Sequence, residues 1–231
     1  MLCSVKDLHV RYGKFEAVRG VSFELAEGEI LGIVGESGSG KSTIAKVLMG
    51  LEKKSGGTVE MKSSRRQMIF QDATGSLNPR MKVGAALREA IKTARPKTAP
   101  AITAEELLKM VGLSEAVLDQ YPRELSGGQC QRVSIARALA CEPEMLIADE
   151  PVSALDVSVQ ARILNLLRDL RRERGIAILL IAHDLAVVKN VCDRICVMEK
   201  GQFADAGDAE EVFGNPQSEY TKRLLKAVPT I

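Results

Sequence analysis

Apolar residues alternate with polar ones in two early stretches, at Leu8, Val10 and Tyr12 in LHVRY and at Val21, Phe23 and Leu25 in VSFEL. A period of two marks half-buried strands. The turn AEGE then leads into EILGIV, which is apolar almost throughout, as a strand covered on both faces must be. A glycine-rich loop follows, and after it STIAKVLMGL reads as a helix closed by Gly50. TVEM and QMIF read as two further short strands.

From about residue 72 to residue 140 the period changes. VGAALREAIKTA, AEELLKMVGL and QRVSIARALA carry their apolar residues at helical spacing, and the loop RPKTAPAIT separates the first two. Apolar strands return in EMLIAD, IAILLIAH and RICVM. Between them a helix near 158–172 lines up Ile163, Leu166, Leu167 and Leu170. Strands buried on both faces and alternating with helices predict an α/β fold with a parallel sheet. The 231 residues are expected to form a single domain, with 1–71 and 141–231 as its core and 72–140 as an inserted helical subdomain.

Charge adds a restriction. With 32 basic and 30 acidic residues the net charge is only +2, too little for a broad nucleic-acid surface. Arg168, Arg171, Arg172 and Arg174 alternate with Asp169 and Glu173, the pattern of a solvated helix end. The longest apolar run, IAILLIA at 176–182, falls far short of the ~20 residues that span a bilayer. No basic-then-apolar leader opens the chain. A soluble, intracellular protein is expected, with any membrane role borrowed from a partner. Five cysteines, an odd number, make no disulfide framework. Cys192 and Cys196 lack a second pair and a nearby histidine, so they read as small buried side chains.

The chemistry centres on GESGSGKST, residues 35–43, which fits G-x-x-x-x-G-K-[ST] with Gly35, Gly40, Lys41 and Ser42. It follows a strand and opens a helix, as that motif requires. There backbone N–H groups approach phosphates, Lys41 reaches the outer phosphate oxygens, and the Ser42 hydroxyl binds Mg²⁺. Two other strands end in polar groups, Asp149 with Glu150 and then His183. In a parallel sheet these tips share the carboxyl edge where ligands bind. Asp149 is placed to hold a magnesium-bound water, and Glu150 to polarise the water that attacks the outer phosphate. A second glycine-bearing stretch, RELSGGQCQRVSIARAL, sets Ser126, Gly127 and Gly128 at another helix start, again a place that attracts anions.

The glycine loop, LSGGQ, LIADEP, SALD and AHD occur in the order found in ATP-binding cassette ATPases, which the chain resembles from about Val5 onward. LSGGQ discriminates, because many NTPases share the loop and the strand-end acid without it. The resemblance implies a P-loop NTPase-type core with a mostly parallel sheet, an N-terminal antiparallel β subdomain and an inserted helical subdomain. It implies ATP and Mg²⁺ as cofactors and a second cassette, identical or paralogous, paired head to tail. By that likeness Glu36, Ser37, Gly38, Ser39, Gly40, Lys41, Ser42 and Thr43 hold the chain's own ATP. Ser126, Gly127, Gly128 and Gln129 face the partner's nucleotide, and Asp156 crosses the interface. Tyr12 stacks on adenine. Glu150, His183 and Gln71 form the catalytic set, and Ser42, Gln71 and Asp149 serve the metal. The two anion-attracting segments thus belong to different nucleotides.

FQDATGSLNPRM, PRELSGGQCQR, DEPVSALDVSVQARILNLL and NPQSEYTKRLL are similar to the peptide and nickel import cassettes. That likeness implies integral-membrane permease subunits as partners, an extracytoplasmic solute-binding protein acting indirectly, and a peripheral position on the cytoplasmic face. The segment between Gly57 and Gln67 is shorter than in that group, and Ala73-Thr74 replaces a proline-led start. The chain also stops at Ile231, before the cysteine-bearing tail usual there. An accessory cassette of a soluble complex such as carbon–phosphorus lyase is the alternative; SLNPR favours transport. Two finer expectations follow. Cys130, next to Gln129, reads either as a thiolate favoured by the helix start or as a buried inert thiol. Leu77, Pro79 and Met81 offer an apolar surface to a short permease helix.

Overall fold

The structure, a computed structural model, describes residues 1–94, 102–153 and 155–227. Most of the RPKTAPAIT loop, and Ala154 of SALD, lie outside the described residues. The first part of the chain runs through β1 (Cys3–Tyr12), β2 (Phe15–Leu25), β3 (Ile30–Val34), α1 (Lys41–Leu48), β4 (Gly56–Met61) and β5 (Arg66–Ile69). Next come α2 (Ala73–Ser76), α3 (Val83–Ala94), α4 (Ala104–Met110) and α5 (Gly127–Leu139). The remainder holds β6 (Met145–Asp149), α6 (Val157–Arg174), β7 (Ala177–Ala182), α7 (Leu185–Lys189), β8 (Arg194–Glu199), β9 (Gln202–Asp208), α8 (Ala209–Gly214) and α9 (Glu219–Ala227).

Two sheets result. The alternating stretches form an antiparallel sheet in the order β2-β1-β4. The apolar strands form the larger sheet, β5-β6-β7-β3-β8-β9, parallel except for β9. Period two decides which core each side chain enters. Ile30 and Val34 of β3, Leu146 of β6, and Ile178 and Leu180 of β7 pack with Leu87, Leu107 and Ile135 of the helices. Leu31, Ile33, Ile147, Leu179 and Ile181 point the other way, onto Val5 and Val10 of β1 and onto Ile44 and Leu48 of α1. Each such side chain contributes about 1.5–3 kcal/mol by leaving water. The central strands are apolar throughout because both faces are core.

Helix ends follow local chemistry. Thr103 caps α4 in a reciprocal pair with Glu106, and Gly175, at φ 66°, closes α6 in the left-handed region that favours glycine. Cys192 and Cys196 are buried as expected, and burial pushes the Cys196 thiol up to about 12. Among the described residues no helix is long and apolar enough to cross a membrane.

One expectation fails here. Leu77 is 4% exposed and belongs to the main core, whereas Pro79 is exposed and Met81 half-buried. An aspartate at Leu77 would bury an unpaired charge and unfold the region. The apolar surface must lie elsewhere.

Candidate active site

β6, β7 and β3 are neighbours, and their carboxyl ends meet at one cleft of about 560 Å³. The loop leaving β3 turns into α1 at Gly40, whose φ is 111°. The Ala17 carbonyl and the Met198 methyl occupy the place a Cβ would take, so only glycine fits. Gly40 caps α1 with no side-chain hydrogen bond, which leaves the first N–H groups of the helix to an incoming anion.

Lys41 is 3% exposed, and its Nζ donates to the carbonyl oxygens of Gly35 at 2.7 Å and Glu36 at 2.9 Å. Burial lowers its pKa, and the carboxylates of Glu150 and Asp149 oppose that shift. Ser42 Oγ donates to Asp149 Oδ1 at 2.9 Å. Burial raises the Asp149 pKa, and the Ser42 bond works against it. A hydroxyl beside one carboxylate is a hard oxygen donor set. It fits Mg²⁺, which is held by one or two carboxylates plus phosphate oxygens and water. A cage of three or more His, Cys, Asp or Glu is absent among the described residues, and such a site does not need one.

Glu150 adopts φ 47°, a left-handed conformation that costs a residue with a Cβ about 1–3 kcal/mol. Its backbone N–H donates to the Ile181 carbonyl at 3.0 Å, so pairing of β6 with β7 holds the strained residue in place. Its Oε2 accepts from Gln71 Nε2 at 2.9 Å and lies 3.9 Å from His183 Nδ1. Three residues from the ends of three parallel strands therefore converge. Tyr12 reaches the same cleft from the β1–β2 hairpin, 42% exposed. Phe15, its cross-strand partner at 63% exposure, also lines the cleft and was not anticipated. The available signal was its place just past the YGK turn.

The second glycine-bearing segment lies outside this cleft. Ser126 caps α5, accepting from Gln129 N at 3.3 Å, while Gln129 Oε1 accepts from Ser126 N at 2.9 Å. A Cβ on Gly128 would collide with a Val159 methyl, so glycine lets α5 approach α6. Asp156 caps α6, accepting from Ser158 Oγ at 2.7 Å and Val159 N at 2.9 Å. The Ser158 bond is the main cause that holds its carboxyl below the usual range. Ser126, Gly127 and Asp156 are exposed.

Of the two readings of Cys130, the structure has the buried thiol and not the reactive thiolate. Cys130 is 1% exposed, its Sγ donates to the Pro122 carbonyl at 3.4 Å, and burial raises its pKa. Desolvation outweighs any pull of the helix start on a thiolate. A bulky thiol reagent is expected to leave Cys130 of the native chain unmodified until denaturant is added. Mass spectrometry showing rapid stoichiometric labelling at Cys130 in the folded protein would contradict this.

A larger cavity, about 1100 Å³, lies at the opposite, amino end of the strands near Ile30 and Asp193. Its Arg171 is already paired with Asp193 and Arg172 with Asp169, and it lacks the phosphate loop. The phosphate loop, Gln71, Glu150 and His183 line the smaller cleft.

A glycine loop at the end of β3, with Asp149 and Glu150 at the end of β6 two strands away in the same parallel sheet, defines a P-loop NTPase. The chain matches the ABC transporter family over residues 18–153 and belongs to it; it is an ATP-hydrolysing cassette. It is 48% identical over 232 residues to the oligopeptide transport ATP-binding protein OppF of Salmonella typhimurium, covering 93% of this chain and 70% of that protein. Among solved structures it is similar to cbiO1 of Clostridium perfringens, part of the ABC transporter complex cbiONQ. That match has a TM-score of 0.82 and 29% identity, and covers 93% of this chain and 91% of the other. A dimeric post-hydrolysis state of the ATP-binding cassette MJ0796 with ADP and Pi matches at a TM-score of 0.76 and 29% identity, covering 90% and 99%.

Proposed function

We propose that the chain is the motor of a membrane importer whose cargo is an oligopeptide or a related small solute such as a nickel chelate. Its likeness to an oligopeptide transport subunit over 93% of its length carries this reading. The chain then sits peripherally on the cytoplasmic face against integral permease subunits, which receive solute from an extracytoplasmic binding protein.

In this reading residues 36–43 wrap the phosphates, the N–H groups at the α1 start from Gly40 to Thr43 receive them, Lys41 reaches the outer oxygens, and Tyr12 stacks on adenine. When bound near Ser42, Gln71 and Asp149, Mg²⁺ neutralises phosphate charge. Glu150 accepts the proton of the attacking water, with His183 at the same edge. The α5 start, with Ser126 and Gly127 exposed and Gly128 and Gln129 behind them, serves the nucleotide of a second cassette, identical or paralogous, and Asp156 lies across that interface. The related cassette solved as a dimer with ADP and Pi supports such pairing.

Residues 72–140 would shift as one helical subdomain through Gln71, which bonds to Glu150. Beside Gln71, Leu51, Phe70 and Met81 line a groove of about 630 Å³ closed by Ala86, Ala90 and Ala138. Leu51 is 62% exposed and Phe70 42%. This groove replaces the Leu77 surface as the seat for a permease helix. Leu51→Asp with Phe70→Asp changes exposed positions only, so folding and ATP binding are expected to persist. Permease co-purification and solute uptake should both be lost. A doubly substituted chain that still assembles and transports would place coupling elsewhere.

A further inference from the structure

The C-terminal part of the chain grips the phosphate loop. Tyr220 of α9 is 7% exposed, and its hydroxyl accepts the backbone N–H of Glu36 at 3.1 Å, 184 positions away in sequence. The peptide that supplies this N–H also supplies the Gly35 carbonyl, which accepts Lys41 Nζ at 2.7 Å. A trans peptide is planar, with its C=O and N–H pointing in opposite directions. Anchoring the N–H on Tyr220 therefore sets the direction of the carbonyl that receives the ammonium. Hydrogen bonds on both sides of one amide also polarise each other.

Tyr220 is itself held in place. The N–H groups of Gln217 and Ser218 donate to the Asp205 carboxylate of β9 at 3.2 and 3.0 Å. The next residue, Thr221, is fully buried, and its N–H donates to Ser218 Oγ at 3.2 Å. The Arg223 guanidinium lies 5.8 Å from the Tyr220 ring centroid. Burial raises the phenol pKa, so the hydroxyl stays neutral at ordinary pH. A second tie runs from the β8–β9 turn, where Gly201 N donates to the Ser39 carbonyl at 2.9 Å.

We propose that Tyr220 is a positioning residue of the nucleotide site, orienting the Gly35–Glu36 peptide and, through it, the Lys41 ammonium. The proposal rests on the reading that this loop holds the phosphates of ATP. It makes α9 part of the ATP-binding machinery.

Tyr220→Phe keeps the ring and removes only the hydroxyl. Affinity for a fluorescent ATP analogue is expected to fall about 2- to 10-fold, the net worth of one hydrogen bond. Amide exchange should quicken at Glu36 and stay slow in β3. The decisive readout is the same substitution in a Lys41→Ala background, where it should no longer change affinity, because its route to the nucleotide is gone. Unchanged affinity in Tyr220→Phe, or an equal loss in both backgrounds, would overturn the proposal. Lys41→Ala alone binding like the wild type would instead remove the loop reading, and the proposal would fall with it.

Discussion

Glu150→Gln is expected to leave ATP bound and to slow its hydrolysis roughly 10²–10⁴-fold, the range a positioned general base supplies. The amide keeps an oxygen that can accept from Gln71 Nε2, which now bonds to Glu150 at 2.9 Å, so the site should stay assembled. Glutamine meets the same left-handed backbone at φ 47° as glutamate does. Stability should therefore barely change, and any loss of rate belongs to the missing carboxylate. With hydrolysis stalled, two nucleotide-loaded cassettes are expected to remain closed on each other, visible as a dimer by size-exclusion chromatography with ATP. Single-turnover hydrolysis at the wild-type rate would show that another group takes the proton.

Much of this site was legible because its parts are local. The glycine loop, the strand-end acids and the capping serine of α5 each occupy a few consecutive residues, and the parallel sheet brings their strand ends to one edge. What stayed hidden depends on depth or on distant contacts. Leu77 beside Asn78-Pro79 is apolar whether it faces in or out, and only the packed helical core decides that it is buried. Cys130 follows half-buried Gln129 by one residue yet is 1% exposed, a turn of the helix that a dipole argument cannot see. β9, QFADAGD, has too few apolar residues to announce an edge strand, and its pairing with β8 supplies what its side chains do not. The strain at Glu150 and the bond from Glu36 to Tyr220 have no sequence pattern at all. Both are products of long-range register.

Lys41→Ala is expected to weaken ATP binding roughly 10- to 150-fold, the loss that follows removal of a charged hydrogen-bond donor worth about 1.5–3 kcal/mol. The ammonium is 3% exposed and close enough to Glu150 and Asp149 for their charges to act on its pKa. Without it, two carboxylates face the incoming phosphates with no fixed cation between them, and repulsion adds to the lost bonds. Lys41→Arg should not restore affinity. A planar guanidinium cannot enter a buried slot shaped by the Gly35 and Glu36 carbonyls at 2.7 and 2.9 Å as a compact ammonium does. Folding should survive both changes, because the two carbonyls lie next to a cleft that water can enter. Titration with a fluorescent nucleotide separates the outcomes. Wild-type affinity in Lys41→Ala would mean that the loop leaving β3 does not hold the phosphates, and full rescue by arginine would mean that charge alone, rather than its shape, is what the loop requires.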